Sequence, residues 1–360
     1  MPLETMSPAE RLDAVFALRP PDRTPVLGGW IACPDHLAAL AEVDLEGYWA
    51  DPTEMSLRAY RRLSNDGLIG IFVPRHRDDY RCVDHDTYSA ADRGQSVAQA
   101  LADIEAMPSP EQLEAAFDFE AAYAPFRQGL VDMQTQCGDL VWMPAQWGAG
   151  ARISWDGQFG YENFFHLLGA HLNHAKKLME VGDAQGRSHS RLVARAVEEG
   201  LYPRAVLLGE DICTQRGPMV SPDFMEKYYF PQLTYGLEPL LRVGCKPLWH
   251  CDGDVRPLFD MLIEAGVQGF QGFQPECGLT IDTRARLRTR EGDPVVIFGP
   301  LAVTTELPVL SPAEVRARVH HAIRVCRETG AGLCLFTGNT LCPDVPLANI
   351  GAMCEAVREA

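Results

Sequence analysis

Short apolar runs recur along the chain, each followed by a longer stretch with helical periodicity. The runs are PVLGGW (25–30), DGLIGIFV (66–73), LVWMPA (140–145), AVLLGEDI (205–212), KPLWHC (246–251), QGFQGF (268–273), PVVIFG (294–299) and GLCLFTG (332–338). Continuous rather than alternating hydrophobicity is the mark of a strand buried on both faces, as in a parallel sheet covered by helices. Between the runs lie segments such as SPDFMEKYYFPQLTYGLEPLLRVG, VRPLFDMLIEAG and SPAEVRARVHHAIRVCRETG, with PLANIGAMCEAVREA after the last. Several open on Ser-Pro or Asp and close at Gly, the residues that satisfy helix ends. Eight strands alternating with helices predict an α/β protein, a single parallel (β/α)8 TIM barrel spanning 1–360, with right-handed connections. Residues 1–24 and 80–135 are expected to pack around it as extra helices. An open doubly wound sheet is the competing architecture and needs fewer strands.

Composition narrows the possible partners. There are 32 Lys and Arg against 49 Asp and Glu, a formal charge of −17. Such a surface repels phosphate backbones and anionic headgroups, so neither nucleic acid nor a membrane surface is an expected partner. No apolar run approaches the roughly 20 residues of a membrane helix. The N-terminal MPLETMSPAERLDAVF starts acidic and reads as a capped amphipathic helix, unlike a secretory signal, which predicts a cytoplasmic location. The 11 cysteines are scattered and mostly sit in apolar segments, the pattern of reduced thiols.

In a (β/α)8 barrel the chemistry gathers at the C-terminal ends of the strands. The residues that follow each run are therefore the candidates: Trp30; Arg75 and His76; Gln146 and Trp147; Glu210, Asp211 and Gln215; His250, Cys251 and Asp252; Gln274, Glu276 and Cys277; Asn339 and Cys342. The fifth strand is the most pointed, because KPLWHCD ends in three consecutive residues of metal-ligating type. On an extended segment His250 and Asp252 face one way and Cys251 the other. With Glu210 or Asp211 from the fourth strand they would form a metal site of nitrogen and oxygen ligands or, without metal, an acid–base group. Each has a plainer reading: a strand-end histidine that only satisfies hydrogen bonds, carboxylates that cap a helix, tryptophans that pack the core.

The segments GEDICTQRGPMVSPDFMEKYYFP, HCDGDVRPLFDMLIEAGVQGFQ, FGPLAVTTELPVLSPAEV and GNTLCPDVPLANIGAMCEAV, in that order, resemble the uroporphyrinogen decarboxylase superfamily of (β/α)8 barrels, most strongly from about residue 200 onward. FGYENFF (159–165), with Tyr161, is similar to the methyltransferase branch of that superfamily, which includes corrinoid-dependent methyltransferases and O-demethylases. The porphyrinogen decarboxylases carry an arginine-rich segment after the first strand and a histidine in the turn after the eighth. Here those places read GGWIACPDH, without arginine, and Asn339, so decarboxylation of uroporphyrinogen is not expected. The coenzyme M enzymes of the methyltransferase branch bind zinc through His-x-Cys after strand five and Cys after strand eight. The matching positions here are His250, Asp252 and Asn339, and exchanging thiolates for oxygen ligands makes any zinc a harder Lewis acid, suited to polarising an oxygen.

The resemblance implies a methyltransferase acting on a small methoxylated or methylated methyl donor. Catalytic roles fall to His250, Asp211 and Asn339, and zinc would sit on His250, Asp252 and Glu210. Trp30, Arg75, His76, Gln146, Trp147, Tyr161, Gln215 and Gln274 would hold the substrate. No cobalamin-binding motif is visible, so the corrinoid would come from a partner protein; an oligomer is also allowed. The alternatives are a decarboxylase or related lyase of a small acid, with Arg75 or Arg152 on the carboxylate and His250 or Asp211 as proton donor, and a barrel that binds a metabolite without catalysis.

Overall fold

A computed structural model describes residues 4–72, 96–153, 155–272 and 274–360. Eight of its ten strands come from the eight apolar runs. They are β1 (Leu27–Gly28), β2 (Gly67–Leu68), β3 (Val141–Trp142), β4 (Ala205–Gly209), β7 (Lys246–His250), β8 (Gly269–Gln271), β9 (Val296–Leu301) and β10 (Gly332–Thr337). The remaining two, β5 (Cys213–Thr214) and β6 (Gly217–Pro218), form an antiparallel hairpin after β4 that the apolar pattern does not announce.

The eight are all parallel and pair in two sheets, one in the order β1-β2-β3 and the other β10-β9-β8-β7-β4. On one side the sheets meet where Val26 bridges Leu335 and the Leu335 N–H donates to Pro25 O at 2.8 Å. On the other, Gln146 N–H donates to Leu207 O at 2.8 Å. The protein is thus a mixed α/β structure with a five-stranded parallel sheet, and its first three strands are ladders of only two residues where the apolar runs suggested six or more.

Helices lie in every described connection between the parallel strands. The longest, Leu172–Glu198, runs from the β3 side to β4, and Pro312–Thr329 joins β9 to β10. The capping expected from the sequence is realised at Ser7-Pro8 and Ser311-Pro312, where each serine bonds the N3 backbone and the N3 glutamate returns to the serine N–H. Both faces of β4, β9 and β10 are buried, as continuous hydrophobicity requires. Three helices, Val97–Ala106, Pro110–Ala116 and Phe119–Cys137, occupy the described part of 80–135, and Pro8–Phe16 that of 1–24. No described helix is long and apolar enough to cross a membrane. None of the ten cysteines among the described residues forms a disulfide, and all are buried.

At the strand starts, Arg11 pairs with Asp22 and Asp66, and Arg23 with Asp66. Asp66 is fully buried, and its second oxygen also accepts the Val26 N–H at 2.8 Å, so it ties the first helix to β1 and β2. At the strand ends the register places Gly209, His250 and Gln271 side by side across β4, β7 and β8.

Candidate active site

That register exists because position 209 is glycine. A Cβ there would lie 2.2 Å from His250 O, and the residue adopts φ +135°, which L side chains rarely take. β4 therefore closes onto β7 at His250, and Glu210 N–H donates to His250 O at 3.1 Å. The turn also decides which acid enters the site. Glu210 is directed to the neighbouring seam, where its carboxylate accepts the Ile153 N–H at 2.9 Å and faces the Tyr229 hydroxyl at 3.5 Å. Burial pushes the Tyr229 phenol far above its ordinary pKa, so it remains a donor. Asp211 turns the other way, toward His250.

Asp211, His250 and Asp252 bring one ligand atom each within 4.8 Å of one another, the one such group of His, Cys, Asp and Glu among the described residues. Asp211 stands in the place expected of Glu210. Cys251 is buried, with its Sγ on Asp252 O at 3.0 Å, and Cys342 lies outside the group.

The imidazole is held from behind. Gln271 Nε2 donates to Thr337 O at 2.7 Å and Gly338 O at 2.9 Å, which turns its Oε1 to His250 Nδ1. A carbonyl oxygen accepts only, so Nδ1 carries the hydrogen and Nε2 faces Asp211 at 3.4 Å. A fixed tautomer with Nε2 aimed at carboxylates is the outer-shell support that metal-ligating histidines have. Without metal, burial lowers the His250 pKa, but the hydrogen bond and charge of Asp211 and the charge of Asp252 outweigh it and raise it to about 9. Burial raises the Asp211 pKa, and the His250 bond and charge outweigh that too, for a net lowering. Either a proton or a cation thus belongs on Nε2 at neutral pH.

The acids are tied as well. Asp252 N–H donates to Asp211 Oδ1 at 2.9 Å, and Asn339 Nδ2 donates to Asp252 Oδ2 at 2.6 Å. Asn339 accepts the Thr340 N–H in turn at 2.6 Å, so it orients Asp252. Gln274 accepts the Gly253 N–H. Gly253 (φ +80°) lets the β5–β6 hairpin approach: a Cβ there would lie 2.6 Å from Thr214 O, and Asp254 N–H donates to that oxygen at 2.8 Å. Arg284 is 1% exposed, and burial pulls its pKa down against the charges of Cys251 and Asp252.

Aromatic rings wall the imidazole. Trp30 meets it edge-on at 5.9 Å and Trp147 at 5.5 Å, and Trp30 also packs on Phe336 at 4.9 Å and Phe72 at 5.7 Å. Trp30 is buried, whereas Trp147 is 48% exposed and presents a surface to anything approaching His250. The other expected contacts lie elsewhere. Gln146 is buried, bonded to Pro144 O at 3.0 Å and to His189 at 2.7 Å; it belongs to the seam. Gln215 is exposed at the hairpin tip, and Tyr161 stacks on Phe165 at 6.2 Å. Arg75 and His76 fall outside the described residues. Gln271, Phe72 and Phe336 are additions to the residues expected from the sequence; the signal for Gln271 is a polar residue inside the run QGFQGF, at the position where the strand ends.

No family model matches the chain, and no curated protein does. Among solved structures, a methyltransferase from Methanosarcina mazei has a similar fold, with a TM-score of 0.62 and 15% sequence identity over 98% of this chain and 99% of that one. At that identity the likeness is one of fold.

Proposed function

We propose that the chain is a single barrel domain and a methyltransferase, which takes a methyl group from a small methoxylated or methylated donor and passes it to a corrinoid carried by a partner protein. The observation that carries the reading is the convergence of His250 Nε2 with Asp211 and Asp252 beside two tryptophans. The fold shared with a protein described as a methyltransferase supports it.

The donor set fits zinc: one imidazole nitrogen whose other nitrogen is bonded to Gln271, and two carboxylates. Held by His250, Asp211 and Asp252, zinc would supply Lewis acidity toward an ether oxygen as its methyl group departs with the electron pair left on oxygen. The chain's own residues do the rest. Trp147 offers its exposed face to a flat or apolar body, Trp30 backs the imidazole, Asn339 holds Asp252, and Gln271 holds the imidazole ring.

A second reading is favoured by one arrangement: the buried His250 has Nδ1 held by Gln271 and Nε2 3.4 Å from Asp211, and against that burial the charges of Asp211 and Asp252 raise its metal-free pKa to about 9. The imidazolium is a ready proton donor, as a decarboxylase needs to quench the carbanion left when carbon dioxide departs. Elemental analysis of freshly purified protein separates the two. About one zinc per chain, lost together with demethylation in His250→Ala and retained in Cys251→Ser, is the expected result. Zinc far below one per chain, unchanged by His250→Ala, refutes the zinc-assisted version and favours the proton donor.

A further inference from the structure

At the opposite end of the sheet, where the strands begin, a cavity of about 390 Å³ lies between the end of helix Pro8–Phe16, the segment 18–24, helix Pro312–Thr329 and the start of β10. That volume falls in the range of roughly 300–1,000 Å³ typical of small-molecule pockets. The cavity is separate from the site at His250. Leu333 lines it at the beginning of β10, and Gly338 follows the strand at the other end, about 16 Å away at about 3.3 Å per residue.

Its lining has two chemistries. Val15, Leu18, Pro20, Pro21, Ile323 and Leu333 supply an apolar wall, and Arg19 and Arg327, both exposed, supply positive charge. Elsewhere at this end the arginines are consumed: Arg11 by Asp22 and Asp66, Arg23 by Asp66 and Glu4. Arg19 and Arg327 have no ion pair or side-chain hydrogen bond among the described residues. Two guanidiniums thus stand on one cavity without an acid, in a chain with 49 acids to 32 bases. Position in the last helical turn accounts for a cation at 327; it does not account for a second at 19.

The backbone that presents Arg19 is unusual. Helix Pro8–Phe16 ends in a Schellman motif, with Arg19 N–H on Ala14 O at 2.7 Å and Leu18 N–H on Val15 O at 2.9 Å. The residue that turns left-handed is Leu18 (φ +53°), where glycine is the usual occupant. A leucine is strained there, yet its side chain lines the cavity, and Pro20-Pro21 stiffens the segment that follows.

We propose that this cavity binds a small organic acid with an apolar body, a medium-chain carboxylate, its chain against Leu18, Ile323 and Leu333 and its carboxylate at Arg19 and Arg327. A guanidinium fork matches a carboxylate, and the apolar wall removes the chain from water. Isothermal titration with decanoate, decanol and acetate tests it on the whole protein. Decanoate is expected to bind one per chain at sub-millimolar concentration, with decanol and acetate each at least tenfold weaker. Arg19→Gln/Arg327→Gln, which changes only exposed side chains, should weaken decanoate at least tenfold, and His250→Ala should leave it unaltered. Decanol binding as tightly as decanoate, an unaltered affinity in the double variant, or loss of binding in His250→Ala would each overturn the assignment. The last would move the ligand to the barrel mouth.

Discussion

Asp183 lies on helix Leu172–Glu198, 6% exposed, and its Oδ1 meets no donor among the described residues. Burial raises its pKa from the ordinary 3.8 to about 7, eased by the charge of Arg187 and reinforced by that of Glu114. At about 1.4 kcal/mol per pKa unit, ionising it in the fold costs about 4 kcal/mol, of which local relaxation leaves about 2–4 kcal/mol observable. The folded pKa lies above the unfolded one, so the native state binds the extra proton. This residue's contribution is intact below pH 3.8, declines as pH rises, and is fully lost above about 7. Asp183→Asn keeps the shape and removes the charge. Other acids, such as Asp22, whose pKa Arg11 holds down, give the opposite slope, so the informative quantity is the difference between variant and wild type. Urea unfolding at a series of pH values should show near-equal stabilities at pH 4 and a variant about 2–4 kcal/mol more stable at pH 8. A difference that does not change with pH, or a wild type that is the more stable at pH 8, would refute the reasoning.

Two further outcomes concern the site. Gln271→Leu removes the acceptor that fixes His250 Nδ1–H, and zinc affinity measured against a chelator should fall about 10–100-fold, the cost typical of losing such a partner, while the fold is kept. Zinc binding should also displace one proton from His250, so affinity should rise about tenfold per pH unit between 6 and 8, below the metal-free pKa of about 9; a flat profile would show that Nε2 is not the ligand.

The strand ends were legible in the sequence because buried parallel strands read as apolar runs that stop where polar residues begin. His250, Asp252, Asn339 and Trp147 stand where that rule puts them. Glu210 and Asp211 could not be told apart, since which of two adjacent acids faces the site depends on the positive φ of Gly209, and a glycine in an apolar run does not declare its backbone conformation. Gln271 was hidden because its role lies in two carbonyls, Thr337 at the end of β10 and Gly338 just after it, 66 and 67 residues away. The first three strands were overestimated: past each two-residue ladder the run continues as coil, which after β2 and β3 is only partly buried, as at Ile71 and Pro144, with Phe72 exposed, and hydrophobicity does not report hydrogen-bond pairing. The hairpin at Cys213–Pro218 is short and mostly polar, so only its turn residues speak for it.

The hydrogen bonds that carry Asp252 run from loop to loop. Its N–H goes to the loop after β4, its carboxylate is held by the loop after β10, and the next amide, Gly253, is held by the loop after β8. The sheet contributes none of these links. The loops are therefore braced against one another, and whatever seats itself at His250 stiffens all of them at once. The amide protons of Asp252, Gly253 and Thr340 are natural reporters of that bracing: their exchange with solvent is governed by the occupancy of the site, on a clock separate from that of the strands beneath.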